Sequence, residues 1–227
     1  KGVVLTIAHL DCLPDTMTSV GITEDDINVI LLPMSHISGP VLINQLILLG
    51  STLVILDTIR PETILEAIEN HRINWFHGVP PIFQALLKIS REKHYDTSSL
   101  RFIFMMGAPV PLRLMEEFRE RYPGVKVMQG YGLTETSPLV TLVSLEDWEE
   151  KLGSAGKPVP EVEIRIVDEE GNTLPLGEVG EVIIKGPQVM KGYYNNPEAT
   201  AQVIRDGWFY SGDLGRFDQD NYLYLVG

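Results

Sequence analysis

The sequence predicts an α/β protein: a mostly parallel sheet flanked by helices, followed by a small antiparallel β subdomain. Between residues 28 and 128, short apolar runs rich in β-forming residues alternate with helical patterns. This alternation is typical of parallel strands joined by crossover helices. After about residue 145, apolar and polar residues alternate with period two and turn signals separate the runs, which favours antiparallel strands. With 44% apolar residues over 227 positions, the chain can bury a large core.

Residues 28–128 contain five predicted strands and four predicted helices. Gly50 is expected to end the first helix, because glycine readily adopts the left-handed conformation that follows many helix ends. Pro61 suits the first turn of the second helix. The predicted strands are residues 28–32, 52–56, 73–78, 101–107 and 125–130. The predicted helices are residues 39–50, 60–72, 81–90 and 112–122.

The second part begins with residues 161–186, which read as two strands with Gly171 and Asn172 in the turn between them. Residues 196–204 read as one short helix, and residues 207–226 return to strands. We therefore place a domain boundary at residue 145, between an α/β subdomain (1–145) and a β-rich subdomain (146–227).

Composition argues against several classes of protein. The 18 basic and 31 acidic residues give a formal charge of -13, whereas a nucleic-acid-binding protein usually has a basic face. No apolar run reaches the roughly 18 residues of a membrane-spanning helix, and no signal peptide is visible. The single cysteine, Cys12, argues against a disulfide framework and for a reducing compartment. Packing is its first interpretation, and a nucleophilic role is the alternative.

One loop carries unusual chemistry for its length. The sequence QGYGLTETS follows the last predicted parallel strand, and ligands of open parallel sheets bind at the carboxyl ends of strands. Gly130 and Gly132 allow unusual backbone angles and close approach of a ligand. Tyr131 offers a flat face to a base. Thr134 offers donors to a phosphate oxygen, and Glu135 is an oxygen ligand suited to Mg²⁺. An ordinary polar turn fits these residues equally well when they are taken alone.

Two further stretches bear on that choice. In GWFYSGDLG, Asp213 lies at a strand-to-turn bend, where its carboxylate can accept both hydroxyls of a ribose. In MMGAPVP, residues 107–109 (Gly, Ala and Pro) follow a predicted strand and leave backbone groups accessible. A plain turn is the alternative interpretation of each stretch.

In this order, MMGAPV, YGLTETSP and GWFYSGDLG resemble the adenylate-forming enzymes, which include acyl-CoA synthetases, coumarate–CoA ligases, firefly luciferases and peptide-synthetase adenylation domains. Residues 153–200 are also similar to acyl-CoA synthetases, so the resemblance covers essentially the whole chain. Enzymes of that family join a carboxylate to the α-phosphate of ATP and release pyrophosphate. The acyl-AMP then usually meets the thiol of coenzyme A.

The resemblance implies a role for each matching residue. Tyr131 stacks on adenine and Asp213 holds the ribose hydroxyls. Thr134 contacts phosphate and Glu135 binds Mg²⁺, and these two are the predicted catalytic residues. A cation and oriented donors offset the repulsion between the acid and the α-phosphate, both of which are anions. The remaining predicted nucleotide-binding residues are Gly107, Ala108, Pro109, Gln129, Gly130 and Gly132.

The resemblance also implies an acyl pocket formed by His36, Met106, Gly107 and Gly130. A hydrogen-bonded packing histidine is the alternative for His36, and we assign it no general-base role because the acid is already ionised near neutral pH. Met105 and Met106 replace the serine and glycine of many relatives, which leaves the exact acid open.

Both ends of the chain resemble internal positions of the family. Lys1 matches the last lysine of a phosphate-binding loop, and Gly227 matches the glycine of a hinge. We therefore expect an α/β subdomain truncated at its N-terminus, without the C-terminal lid domain and its catalytic lysine.

The predicted function is an acyl-CoA ligase for a fatty or other apolar acid, using ATP, Mg²⁺ and coenzyme A. One alternative is an adenylating enzyme with another acyl acceptor, such as a carrier protein or the oxygen used by luciferases. A non-catalytic nucleotide-binding relative is the second alternative. The expected location is the cytoplasm, with loose membrane association left open.

The 227-residue chain by itself is expected to show no useful turnover, because domain closure completes a site of this kind. The measurement is carboxylate-dependent exchange between ATP and pyrophosphate, with the full-length protein as the positive control. Robust exchange by the 227-residue chain would contradict this expectation.

Overall fold

Helices and strands alternate along the first half of the chain, as the sequence predicts. The computed structural model describes residues 1–10, 14–137 and 139–226, so Cys12 and Gly227 lie outside the described residues. The strands of the described residues are β1 (Val3–Val4), β2 (Ile27–Ile30), β3 (Thr52–Ile55), β4 (Trp75–Gly78), β5 (Phe102–Met105), β6 (Lys126–Met128), β7 (Gly130–Tyr131), β8 (Thr141–Leu142), β9 (Lys157–Pro158), β10 (Glu163–Val167), β11 (Gly180–Lys185), β12 (Gly192–Tyr193), β13 (Ile204–Arg205), β14 (Trp208–Phe217) and β15 (Leu223–Leu225). The helices are α1 (Ile7–Leu10), α2 (Pro14–Ser19), α3 (Ser38–Leu49), α4 (Pro61–His71), α5 (Pro80–Glu92), α6 (Leu112–Arg121) and α7 (Pro197–Val203).

A parallel sheet with the order β3-β2-β4-β5-β6 forms the centre of the first half. Each predicted parallel strand and crossover helix is present within a few residues of its predicted bounds. Gly50 follows α3 with φ 75°, the left-handed conformation expected there, and Pro61 opens α4. The predicted α/β fold class is confirmed.

The core of this half lies between the sheet and helices α4, α5 and α6. Phe76 and Phe83 stack with ring centroids 5.5 Å apart, and Phe118 meets Phe83 edge-on at 5.5 Å. Burial of each such side chain stabilises the fold by about 1.5–3 kcal/mol. Met105 is fully buried in the same core, whereas Met106, at the end of β5, is only partly buried.

The predicted strand at residues 125–130 is wrong in its length. β6 ends at Met128, and Gly130 and Tyr131 instead form β7, which pairs antiparallel with β8 in a separate sheet with the order β7-β8-β9. The apolar run is therefore shared between two sheets, which hydrophobic pattern alone does not reveal.

Antiparallel pairing dominates the second half, as predicted. β10, β11, β14 and β13 form one sheet in that order, and β15 pairs with β14. β1 pairs antiparallel with β12, so that Val3 is opposite Tyr193. Sequence reasoning missed α1, α2 and the two-residue strands, which are too short to show a periodic pattern.

Packing divides the chain into two compact units that interleave along the sequence. The first unit is Lys1–Thr16, Gly130–Val143 and Ser154–Gly227, and the second is Met17–Gln129 and Ser144–Gly153. The sequence predicts a single boundary at residue 145, and that domain assignment stays a prediction. Among the described residues, no helix combines the length and the apolarity that crossing a bilayer requires.

His77 is a titratable side chain within the parallel sheet. It lies on β4, between the fully buried Phe76 and the buried Gly78. Burial, and to a smaller extent the nearby charge of His36, together lower the pKa of His77 to about 4. The imidazole is therefore neutral in the folded protein near neutral pH.

The pKa of His77 predicts a pH dependence of stability. Between about pH 6.5 and pH 4 the unfolded chain binds a proton at this histidine that the folded chain does not bind. Stability is therefore lost as pH falls through this window, by up to about 3 kcal/mol from His77 alone. His77→Gln should flatten the pH dependence of the free energy of unfolding, measured by urea denaturation from pH 4 to 7.

His71→Gln is the matched control, because His71 is exposed at the end of α4. This variant should keep the pH dependence of the unsubstituted protein. Parallel pH curves for His77→Gln and the unsubstituted protein would show that His77 does not carry the effect.

Candidate functional site

The polar loop of the first unit contains a single 3-10 turn, Thr134–Thr136. Thr136 is fully buried, and its hydroxyl accepts a hydrogen bond from Leu133 N at 2.9 Å and donates one to Leu133 O at 3.1 Å. Thr134 and Glu135 are only partly buried. The Thr136 side chain therefore holds the backbone of the turn, while the predicted catalytic side chains of Thr134 and Glu135 stay partly exposed to solvent.

Tyr131 and Asp213 are in direct contact, although 82 positions separate them. The Tyr131 hydroxyl donates to Asp213 Oδ2 at 2.6 Å. Burial raises the pKa of Tyr131, and the bond to Asp213 raises it further, so the phenol keeps its proton. The structure thus brings together the residues predicted for adenine and for ribose.

A β-bulge places Asp213. Glu181 is paired with Leu214 and Ile183 with Tyr210, so three residues of β14 lie opposite one residue of β11. Gly212, in the middle of the bulge, has φ 78° and donates its N–H to Glu181 Oε1 at 3.0 Å. A bulge re-aims the side chains that it contains, and here it includes Asp213.

Ser211 stabilises the same bulge. Its hydroxyl donates to Val182 O at 2.7 Å and accepts a hydrogen bond from Asp213 N at 3.0 Å. The backbone on both sides of Gly212 is therefore fixed before any ligand binds.

Glu135 is bonded to a residue that sequence reasoning missed. The Tyr193 hydroxyl donates to Glu135 Oε1 at 2.8 Å, and Met190 N donates to Glu135 O at 2.8 Å. Burial and the contact with Glu135 raise the pKa of Tyr193 to about 12. Lys1 Nζ lies 4.6 Å from the centroid of the Tyr193 ring. The residues predicted for phosphate and for Mg²⁺ are therefore linked through one tyrosine.

No sequence signal marks Tyr193, because it stands next to a second tyrosine and its partner Glu135 lies 58 positions away. The pairing of β1 with β12 and the bond from Met190 N to Glu135 O place it beside the loop.

The expectation that Gly130 provides an unusual backbone angle is wrong. Its φ is not positive, so it does not serve an unusual backbone angle. A Cβ at this position would lie 2.8 Å from both Leu139 Cδ1 and Thr141 O. Glycine is required at position 130 because the backbone packs closely against β8. Gly132 is partly buried.

In the second unit, the predicted residues follow strands of the parallel sheet, whose carboxyl ends share one edge. Gly107 has φ 84°, and it is exposed together with Ala108 and Pro109. Met106 N donates to Gly78 O at 3.1 Å. The carboxamide oxygen of Gln129, just after β6, is buried and accepts no hydrogen bond from the described chain. This edge thus offers an accessible backbone turn at residues 107–109, whereas the Gln129 oxygen is buried.

His36 lies in the loop after β2 and is exposed, which argues against the packing interpretation. Ser38 N donates to His36 Nδ1 at 3.3 Å, and Ser38 Oγ lies 3.0 Å from the same nitrogen.

The residues near Glu135 fit a magnesium ion that is bound mainly through its substrate. Within the described ranges, no cluster of three or more His, Cys, Asp or Glu side chains could hold a metal ion. Mg²⁺ commonly uses one or two carboxylates together with substrate phosphates and water. A single, partly buried carboxylate with one oxygen already oriented is consistent with that arrangement.

Comparison with known proteins gives the family. The model of the family described as AMP-binding enzyme matches residues 1–194. The chain is 37% identical over 230 residues to the feruloyl-CoA synthase of an Amycolatopsis species, covering 100% of this chain and 46% of that protein. It is 37% identical over 233 residues to the long-chain-fatty-acid–CoA ligase of Bacillus subtilis, covering 100% and 41%.

A solved structure agrees in fold. The o-succinylbenzoate coenzyme A synthetase of Bacillus subtilis, in complex with ATP and magnesium ion, has a TM-score of 0.88 and 36% identity, covering 99% of this chain and 46% of that chain. The chain spans about half the length of the relatives it matches. With its family match over residues 1–194, the chain belongs to the AMP-binding enzymes, the adenylate-forming superfamily.

Proposed function

We propose that this chain is the nucleotide-binding part of an ATP-dependent, AMP-forming acid–thiol ligase, which activates a carboxylic acid as acyl-AMP and passes it to coenzyme A. The contact between Tyr131 and Asp213 carries the proposal, because it joins two distant motifs that the family resemblance assigns to one nucleotide. The named relatives include two CoA ligases and a synthetase in complex with ATP and magnesium ion.

In the first unit, the ring of Tyr131 is proposed to face adenine and the carboxylate of Asp213 to accept the ribose hydroxyls. Thr134 is proposed to donate to phosphate oxygen, and Lys1 to supply positive charge to the phosphates. Mg²⁺, held through Glu135, would neutralise charge on the phosphate oxygens as the acid attacks. The protein orients the nucleotide, which removes part of the entropic barrier to reaction.

For the second unit, the nucleotide contacts that the family resemblance implies at residues 107–109 and Gln129 stay a prediction. His36, Met106 and Gly107 are proposed to contact the acid. The partly buried Met106 offers an apolar surface at the end of β5, consistent with an apolar acid. Residues 1–145 and 146–227 are proposed to be subdomains of the full-length enzyme.

The acid is proposed to be a fatty acid. Relatives of equal identity are named for ferulate and for long-chain fatty acids, so their names alone do not choose between them. The flexible side chain of Met106, which is only partly buried, favours a flexible aliphatic chain over a rigid aromatic ring.

The proposed activity predicts that the full-length protein forms AMP and consumes coenzyme A in the presence of ATP, Mg²⁺ and an acid. The measurement compares octanoate, palmitate, ferulate and o-succinylbenzoate, and a fatty acid should give the highest kcat/KM. Release of pyrophosphate without consumption of coenzyme A would favour another acceptor. A higher kcat/KM for an aromatic acid would overturn the fatty-acid assignment, and no acid-dependent pyrophosphate release would overturn the activity.

A second prediction concerns the ribose contact. Asp213→Asn removes the negative charge but keeps the shape, so the Kd of ATP should rise by about tenfold or more, as expected for hydrogen bonds to a charged acceptor. The measurement is calorimetric titration of the full-length protein. Asp220→Asn, in the exposed turn before β15, is the matched control and should leave the Kd unchanged. Equal Kd values for the two variants would remove Asp213 from the nucleotide site.

A further inference from the structure

The contact between Tyr193 and Glu135 has a role that neither the motifs nor the family match assigns. We propose that Tyr193 is a positioning residue, which fixes one carboxylate oxygen of Glu135 so that the other oxygen is directed to Mg²⁺. This inference rests on the proposed function, in which Glu135 binds the metal ion.

The hydrogen bond itself has the geometry that orientation requires. The Tyr193 hydroxyl donates to Glu135 Oε1 at 2.8 Å, within the range of strong hydrogen bonds to a carboxylate. A carboxylate at the end of a flexible side chain otherwise rotates freely, and this freedom is lost each time a metal ion binds. A fixed donor removes that cost in advance.

The backbone of Tyr193 is itself held in place. Tyr193 pairs with Val3 between β12 and β1, and its N–H donates to Thr200 Oγ1 at 2.9 Å. The preceding Gly192 has φ 143°, and a Cβ there would lie 2.7 Å from Thr200 Cγ2. The hydroxyl therefore projects from a rigid base, as a donor that positions a metal ligand must.

A second hydrogen bond holds the backbone of Glu135. Met190 N donates to Glu135 O at 2.8 Å, three residues before Tyr193. Two independent bonds thus connect the same short segment to the backbone and to the side chain of Glu135, so the tyrosine and the carboxylate keep their spacing.

Tyr193 also supports the predicted phosphate residue. Lys1 Nζ lies over its ring, 4.6 Å from the centroid, a cation–π distance. The ring and the hydroxyl of one side chain thus serve two charged groups of opposite sign. Tyr193→Phe separates these functions, because it keeps the ring and removes only the hydroxyl.

The test is calorimetric titration of ATP into the full-length protein at graded Mg²⁺ concentrations. Removing a partner of a metal ligand commonly lowers metal affinity at least tenfold. Tyr193→Phe should therefore raise the Mg²⁺ concentration that half-saturates the gain in ATP affinity by about tenfold. ATP affinity without Mg²⁺ should stay unchanged, and so should the thermal unfolding midpoint. Tyr194→Phe is the matched control, because the neighbouring ring is exposed and should have no effect.

A double-mutant cycle with Glu135→Gln tests whether Tyr193 acts through the carboxylate. The Mg²⁺ requirement of the double variant should equal that of Glu135→Gln alone. Additive effects of the two substitutions, or a Tyr193→Phe variant with unchanged Mg²⁺ dependence, would overturn the inference while leaving the proposed function intact. If the unsubstituted protein binds ATP without any Mg²⁺ dependence, the assigned metal site fails and the inference fails with it.

Discussion

The 3-10 turn at Thr134–Thr136 is the constraint on which the polar face of the first unit depends. A turn this short pairs only some of its own backbone donors and acceptors, and buried groups left unpaired are costly. Further bonds come from the Thr136 side chain, which pairs with both backbone groups of Leu133, and from Met190 N, which donates to Glu135 O. Because Thr136 and Met190 meet these needs, the side chains of Thr134 and Glu135 are left available for a ligand.

The same solution recurs at Asp213. The bulge in β14 interrupts the ladder with β11, and the interrupted groups are satisfied locally by the Ser211 hydroxyl and by the carboxylate of Glu181. In both places, an irregular backbone is stabilised by side chains that have no proposed role in catalysis. Irregular backbone of this kind is common beside functional sites, because it aims side chains in directions that a regular strand does not offer.

The parallel sheet could be predicted because its signals are local. Gly50 marks the end of α3 and Pro61 marks the start of α4. Apolar residues also recur at a different spacing in the strands than in the helices. The polar loop could be recognised by residue type, but its geometry could not. Whether Gly130 serves an unusual φ or close packing depends on Leu139 and Thr141 in another strand. Likewise, Tyr193 is placed beside Glu135 by a two-residue ladder between β1 and β12 and by the bond from Met190 N to Glu135 O. Neither contact leaves a periodic pattern in the sequence.

The two carboxylates share one chemical arrangement. Glu135 accepts a hydrogen bond from Tyr193, and Asp213 accepts one from Tyr131, so each is oriented by a phenol. Among the described residues, neither carboxylate forms an ion pair with lysine or arginine. A cationic partner would neutralise the carboxylate and compete with a metal ion or with ribose hydroxyls for its oxygens. A protonated phenol donates one hydrogen bond and adds no charge. Burial raises the pKa of both tyrosines, which keeps each hydroxyl a donor. The carboxylates are thus held in place while their negative charge remains available to a ligand.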